Sequence, residues 1–209
     1  RDFNGATPLQ WSVRMADSET ERRGDKLAWR EGRNAKWDYT AGLFTLSLLK
    51  LNQVVPTSAY VGFSKDAIGS FIKPDGSIQG YKLEDYNIDN IAPGKTVLVL
   101  YDLTKEERYR KCADLLRKQL ATHPRTSDGG FWHKQRYPSQ MWLDGLFMAA
   151  PFYAEYTRDF GGPGAAADFD DVVKQSRLID RHLYDAKSGL YYHGWDEKHK
   201  HLLTRNGQI

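Results

Sequence analysis

The sequence predicts an all-α protein, a toroid of helical hairpins in which an outer ring encloses an inner one. Helical segments alternate between two kinds, apolar on every side and apolar on one side only, as such a double ring requires. The segments that are apolar all round recur roughly fifty residues apart, a period typical of helical repeats. With 40% hydrophobic residues in 209, the chain can also bury a sizeable core. An irregular all-α domain is the plain rival, and the regularity of the alternation favours the toroid.

The first helix is expected at about Leu9 to Arg23, introduced by Thr7-Pro8, with proline suited to an early helical position. It buries Leu9, Val13 and Ala16 and ends in charge. A polar loop with Gly24 and Gly32 follows. The second, about Asp38 to Gln53, is apolar nearly all round through Leu43, Phe44, Leu46, Leu48, Leu49 and Leu51. The third, about Thr57 to Ile72, places Tyr60, Phe63, Ala67, Ile68 and Phe71 on one face. Pro74-Asp75-Gly76 is a turn by composition, and Ile78 to Tyr81 a short extended piece.

The fourth helix, about Asn90 to Leu103, is again mostly apolar. Thr104 and Glu107 have the spacing of a capping box for a one-sided, highly charged fifth. The sixth runs from about Gln140 and is apolar on every side. Gly161 to Ala167 forms a loop, and the seventh, about Asp168 to Tyr184, shows Val172, Ser176, Ile179 and Leu183 on one face. Gly189 to Trp195 is extended, and the tail to Ile209 is polar without pattern.

The net charge of +3 arises from 30 basic and 27 acidic residues spread along the chain, so no basic block points to a nucleic-acid partner. No transmembrane run and no signal peptide occur in these residues, and no membrane partner is expected. The single Cys112 cannot form an intramolecular disulfide and falls on the apolar face of the fifth helix. Aromatic residues make up 13%, many of them in loops, a composition that suits stacking on the apolar faces of sugars.

Gly129 to Tyr153, GGFWHKQRYPSQMWLDGLFMAAPFY, is the centre of the chain. It joins an aromatic loop holding His133 to a buried helix whose first turn carries Asp144. Burial raises a carboxyl pKa, while the positive helix N-terminus lowers it, so such a group suits a proton donor and acceptor. The same spacing is served equally by a carboxylate that caps the helix or bonds to a neighbour. Asp89, just before an expected helix start, reads equally as an N-cap. His133 and His193, beside Trp132 and Trp195, read also as hydrogen-bonded structural residues. Neither has the His-x-x-x-His or cysteine spacing of a zinc site.

At GGFWHK and YPSQMWLDGLFMAAPFYAEY the chain resembles glycoside hydrolase family 105, the unsaturated rhamnogalacturonyl hydrolases, which are related to the unsaturated glucuronyl hydrolases of family 88. WDYTAGLFTLSLLKL, YNIDNIAPGKTVLVLYDLTKEERYRKCADLLRKQL, HPRTSDGGFWHK and SGLYYHGWDE extend the match in the same order along nearly the whole chain. The resemblance implies an (α/α)6 toroid of twelve helices, the six-hairpin glycosidase architecture, with no metal or organic cofactor. It implies hydrolysis of pectin-derived oligosaccharides that end in a Δ4,5-unsaturated galacturonic acid, and a bacterial cytoplasmic or periplasmic setting. Carried over by position, Asp144 in MWLDG matches the general acid/base. Asp89 in YNIDN, His133 in FWHK, Trp142 beside Asp144, His193 in YYHGW and Tyr39 in WDY match substrate-site residues. Only about seven helices fit into this chain, which matches the N-terminal part of the family. A later Arg- and Trp-bearing motif has no counterpart here.

Such a substrate is a cyclic vinyl ether, and its hydration needs a proton at C4 and a water activated for C5. One carboxyl group can do both in turn. Asp144 would lie at the bottom of the main pocket with Asp89, His133 and Trp142 around it, the histidines orienting the ring and, when protonated, favouring its carboxylate. Two alternatives stand beside this reading. One is an inverting glycosidase on the same toroid with Asp89 and Asp144 as base and acid. The other is an inactive fragment that binds carbohydrate. An incomplete ring would also leave helix sides apolar and exposed near Leu43 to Leu51 or Phe147 to Phe152, so self-association through open edges is expected.

Overall fold

The computed structural model describes residues 2–24 and 35–200. The loop around Gly32 and the tail from His201 to Ile209 lie outside them. Seven α-helices are present among the described residues: α1 (Pro8–Arg23), α2 (Tyr39–Asn52), α3 (Ser58–Gly69), α4 (Gly94–Thr104), α5 (Glu107–Thr122), α6 (Leu143–Phe160) and α7 (Ala165–Leu183). Short strands flank them: β1 (Gln140–Trp142), β2 (Tyr184–Asp185), β3 (Leu190–Tyr191) and β4 (Gly194–Asp196).

Helix starts follow the local chemistry closely. Thr7 and Gln10 form a reciprocal capping box on α1, whose first residue is Pro8. The Asp38 carboxylate accepts from the amides of Thr40 and Ala41 at the start of α2, and Thr57 caps α3. The expected box on the fifth helix does not form. Thr104 instead closes α4, donating to Leu100 O and accepting from Glu106 N, and Glu106 precedes α5 without a side-chain cap. The fourth helix is also interrupted: a 3-10 turn, Ile88–Ile91, comes first, and Pro93 then leads into α4. The sixth begins later than its apolar pattern, because Gln140 to Trp142 pairs as a strand with Gly194 to Asp196.

Helices α2, α4 and α6 pack side by side as the inner layer, and α3, α5 and α7 cover them, each against the inner helix next to it. The contacts advance in step: Trp37 donates to Asn90 O, Gly42 lies on Pro93, and the Thr45 and Thr96 hydroxyls meet at 3.1 Å. Along the other seam Ile88 lies near Gly145, and Lys95 donates to Phe147 O. The inner helices therefore run parallel, and their N-terminal ends share one end of the layer. One continuous core fills the space between the layers, with Ile68, Ile91, Val97, Leu100, Tyr109, Cys112, Leu116 and Phe152 at or near zero exposure. Cys112 is a core residue, as its position on α5 predicts.

The inner helices are not buried on every side. Leu43 is 49% and Phe147 48% exposed, while Leu48, Leu49 and Phe152 on the same helices are buried. Among the described residues no helix is long and apolar enough to cross a membrane.

Close approach of α2 and α4 rests on Gly42, where a Cβ would meet the Pro93 backbone at 2.6 Å. Alanine normally strengthens a helix interior by about 1 kcal/mol relative to glycine. Gly42→Ala should instead destabilise the protein by about 1–3 kcal/mol, the cost of overpacking, in urea unfolding. A more stable variant would disprove this account of the inner seam.

Candidate active site

The parallel inner helices deliver the site residues to one place. Asn87 accepts the Asp89 amide through its side chain at 3.1 Å and so caps the 3-10 turn itself. Asp89 is thus no helix cap: its carboxylate is left to face inward, 8% exposed. Asp144 occupies the first turn of α6, but the capping position belongs to Trp142, and Asp144 Oδ1 is buried with no hydrogen-bond partner. The capping alternative fails for both carboxylates.

His133 lies close to both, 2% exposed. Its segment is fixed from both sides, its amide donating to Gln140 O and its carbonyl accepting from Ile88 N. The absence of a side chain at Gly145 makes room for the ring, since a Cβ there would meet His133 Nδ1 at 3.1 Å. The Trp142 indole stacks on the imidazole at 4.2 Å and 10°, and Tyr137 stacks on Trp142 at 5.2 Å. Pairing of β1 with β4 brings His193 to the same wall, its ring 5.0 Å from that of Trp142 and its carbonyl accepting from Leu143 N. Gly194 permits this approach, because a Cβ would meet the indole at 3.0 Å.

His133 Nε2 approaches Asp89 Oδ1 to 3.2 Å, close enough for charge to matter although that oxygen lacks a well-formed hydrogen bond. Lys134 Nζ lies 2.6 Å from Asp89 Oδ2. Burial pushes the Asp89 carboxyl up, but His133 and Lys134 outweigh it and hold Asp89 below the ordinary aspartate range. One donor atom each of Asp89, His133 and Asp144 falls within 4.8 Å of the other two. Such a trio could hold a small cation, although the Lys134 ammonium already meets part of its negative charge.

Next to this cluster a small apolar cavity of about 20 Å³ is lined by Ile88, Phe131, His133, Trp142, Leu146 and Val172 among others, but by neither aspartate, so Asp144 does not lie at its bottom as expected. His133 belongs both to the polar cluster and to the lining of this cavity. Tyr39 sits at the N-terminus of α2, 41% exposed, and among the described residues it does not join the Asp89, His133 and Asp144 cluster. Sequence reasoning passed over Lys134 and Tyr137, both inside the quoted stretch. A lysine directly after His133 in an otherwise aromatic loop was the available signal.

The Asp89–Lys134 pair should be visible in stability. Asp89 is depressed in the folded state, so its contribution is complete above the ordinary aspartate value and is lost as pH falls below about 3.9. Lys134→Met should cost about 2 kcal/mol at pH 7, with the deficit shrinking below that value. Urea unfolding from pH 7 to pH 3 measures this, and a deficit independent of pH would refute the pair.

Residues 11–208 match Glycosyl Hydrolase Family 88. The unsaturated rhamnogalacturonyl hydrolase YesR of Bacillus subtilis (strain 168) is 25% identical over 174 residues, covering 80% of this chain and 48% of that protein. A glycoside hydrolase from family 105 of C. acetobutylicum ATCC 824 superposes with a TM-score of 0.85 at 38% identity, over 95% of this chain and 53% of the other. A possible family 105 member from Klebsiella pneumoniae subsp. pneumoniae MGH 78578 superposes with a TM-score of 0.71 at 21% identity, over 96% and 55%, a likeness of fold alone. The chain spans about half the length of these relatives. The seven helices among its described residues follow the (α/α)6 toroid of such glycosidases. The chain belongs to Glycosyl Hydrolase Family 88.

Proposed function

We propose that the protein hydrolyses oligosaccharides ending in a Δ4,5-unsaturated galacturonyl residue, the fragments left by lyase cleavage of pectin, by hydrating the vinyl ether. The observation that carries this reading is Asp144 Oδ1, a buried carboxyl oxygen without a partner, gathered with Asp89 and His133 into one cluster. Asp144 gives its proton to C4 while a water oxygen bonds to C5. The carboxylate so formed takes the proton that the water sheds, and the acid is restored. The hemiketal at C5 opens and the neighbouring sugar is released. A single carboxyl group alternating between acid and base suffices.

Asp89, held ionised by Lys134, accepts hydrogen bonds from sugar hydroxyls or from the attacking water. His133 and His193 line the path of the ring, and Trp142 holds His133 in orientation. Tyr39, on the neighbouring inner helix, forms the outer edge of the substrate site in this proposal. The similarity to YesR and to the family 105 structure supports the choice of substrate class.

An inverting glycosidase using Asp89 and Asp144 would need its carboxyl groups roughly 6.5–9.5 Å apart. Their nearest oxygens approach within 4.8 Å, which speaks against an inverting pair. The products separate the two chemistries. Hydration destroys the C4=C5 chromophore as the sugar is released, whereas glycoside cleavage leaves it intact.

Asp144→Asn should lower kcat by at least about a thousandfold with substrate affinity changed less than threefold, because the amide can neither protonate C4 nor take a proton from water. Loss of ultraviolet absorbance from an unsaturated rhamnogalacturonyl disaccharide provides the assay. A variant keeping most of its rate would end the acid/base assignment, and tight binding by wild type without turnover would favour a carbohydrate-binding role instead.

The exposed Leu43 and Phe147 on inner helices support a second proposal, that the 209-residue chain associates with itself through its open edge. Sedimentation velocity should show a concentration-dependent species heavier than the monomer. A monodisperse monomer at every concentration would refute it.

A further inference from the structure

Two buried polar side chains at the end of α5 stand behind the site without touching it. Gln119 has no exposed surface and His123 is 4% exposed. Gln119 Nε2 donates to Asn87 O at 3.1 Å, and its Oε1 accepts from the Tyr81 hydroxyl at 2.7 Å. His123 Nε2 lies 2.7 Å from Trp132 O. A carbonyl can only accept, so Nε2 carries the proton and Nδ1 is left to accept from Gln119 Nε2 at 3.4 Å. Burial drives the His123 pKa down to about 4, which keeps the ring neutral and this tautomer fixed at ordinary pH. The edges of Tyr86 and Phe131 close the ring in, with centroids at 5.5 and 5.4 Å.

The two carbonyls they hold belong to different segments of the site. Asn87 caps the turn that carries Asp89, and Trp132 directly precedes His133. The outer helix thus grips both segments from behind through one connected pair of side chains, and the hydrogen bond from Ile88 N to His133 O ties the two segments directly.

We propose that Gln119 and His123 are the positioning residues of this site, setting the distance of Asp89 from His133 and through it the geometry of the Asp89, His133 and Asp144 cluster. As far as it concerns catalysis, this rests on the vinyl ether reading above. Neither side chain meets substrate. Their effect is to hold reacting groups within the few tenths of an ångström that catalysis tolerates, where a displacement of about 1 Å can cost 100-fold in rate.

The test uses the full-length protein and the variants Gln119→Leu, His123→Leu, His123→Gln and His123→Asn. Glutamine places an amide where Nε2 lies and can still donate to Trp132 O, whereas the shorter asparagine cannot. His123→Leu, His123→Asn and Gln119→Leu should lower kcat about 10- to 100-fold with KM within threefold, and His123→Gln should recover most of the loss. In substrate-free protein, the imidazole resonances of His133, followed by nitrogen-detected NMR, should move in the same three variants and return in His123→Gln. A lower melting temperature with wild-type kcat and an unmoved His133 signal in the folded fraction would overturn the proposal. Should leucine at either position prevent folding, the asparagine and glutamine pair at residue 123 still decides it. A wild type that turns over no unsaturated substrate, with His133 displaced in the variants, would leave the positioning role standing and remove the reaction assigned to the site.

Discussion

The parallel packing of α2, α4 and α6 is the constraint from which the site follows. Consecutive helices in a hairpin stack alternate direction, so every second one runs the same way, and all inner helices present the same end. Two glycines decide how near they come. Gly42 lets α2 rest on Pro93, and Gly94 lets α4 rest on Phe152, whose ring would meet a Cβ at 2.5 Å. Close packing at these points brings the turn before α4 against the first turn of α6, and so Asp89 against Asp144. Partial positive charge at the N-terminal ends of those helices then favours carboxylates at the same place.

That favour is small beside what crowding costs. Two ionised carboxylates about 5 Å apart repel by roughly 3 kcal/mol at an effective dielectric constant of 20, more than a helix end returns. The site therefore needs a counter-charge, and Lys134 supplies it at 2.6 Å from Asp89. Lys134 and His133 are adjacent in sequence and both reach Asp89, one at each oxygen. A single stretch of loop thus orders and neutralises one carboxylate while leaving the other without a partner. The asymmetry distinguishes the two aspartates: Asp89 is held below the ordinary aspartate range by its cationic neighbours, and Asp144 Oδ1 has no such partner, as the roles proposed for them require.

Helix identity was legible because it is written in local pattern. The alternation of apolar and one-sided segments correctly separates inner from outer helices, and Thr7, Asp38 and Thr57 sit at the caps that their side chains favour. Where the expectation missed, an interaction distant in sequence prevailed. Residues 140–142 have helical apolarity but pair with 194–196, and Thr104 turns back to Leu100 in place of capping α5. The site residues were legible as residue types next to aromatic and glycine neighbours, above all in MWLDG. Their company was not. Nothing in spacing alone announces that Lys134 would neutralise Asp89, or that Gln119, some thirty residues away in the chain, would hold Asn87.

Among the described residues, four buried side-chain atoms lack a hydrogen-bond partner: Asp89 Oδ1, His133 Nδ1, Asp144 Oδ1 and Trp132 Nε1. Each such group costs about 1–3 kcal/mol, and a folded protein rarely keeps several together. Three of the four belong to Asp89, His133 and Asp144, residues that each bring one potential ligand atom within 4.8 Å of the other two. Elsewhere the same chain satisfies its buried polar groups thoroughly, as Gln119, Gln175 and Thr45 do with partners on neighbouring elements. Failure of the fold to satisfy polar groups would leave orphans scattered. Their concentration beside a loop fixed by hydrogen bonds on both sides is what the proposed polar substrate would explain. What fills them must accept from the imidazole or donate to it, and donate to two carboxyl oxygens at once, as the hydroxyls of a sugar and an attacking water can.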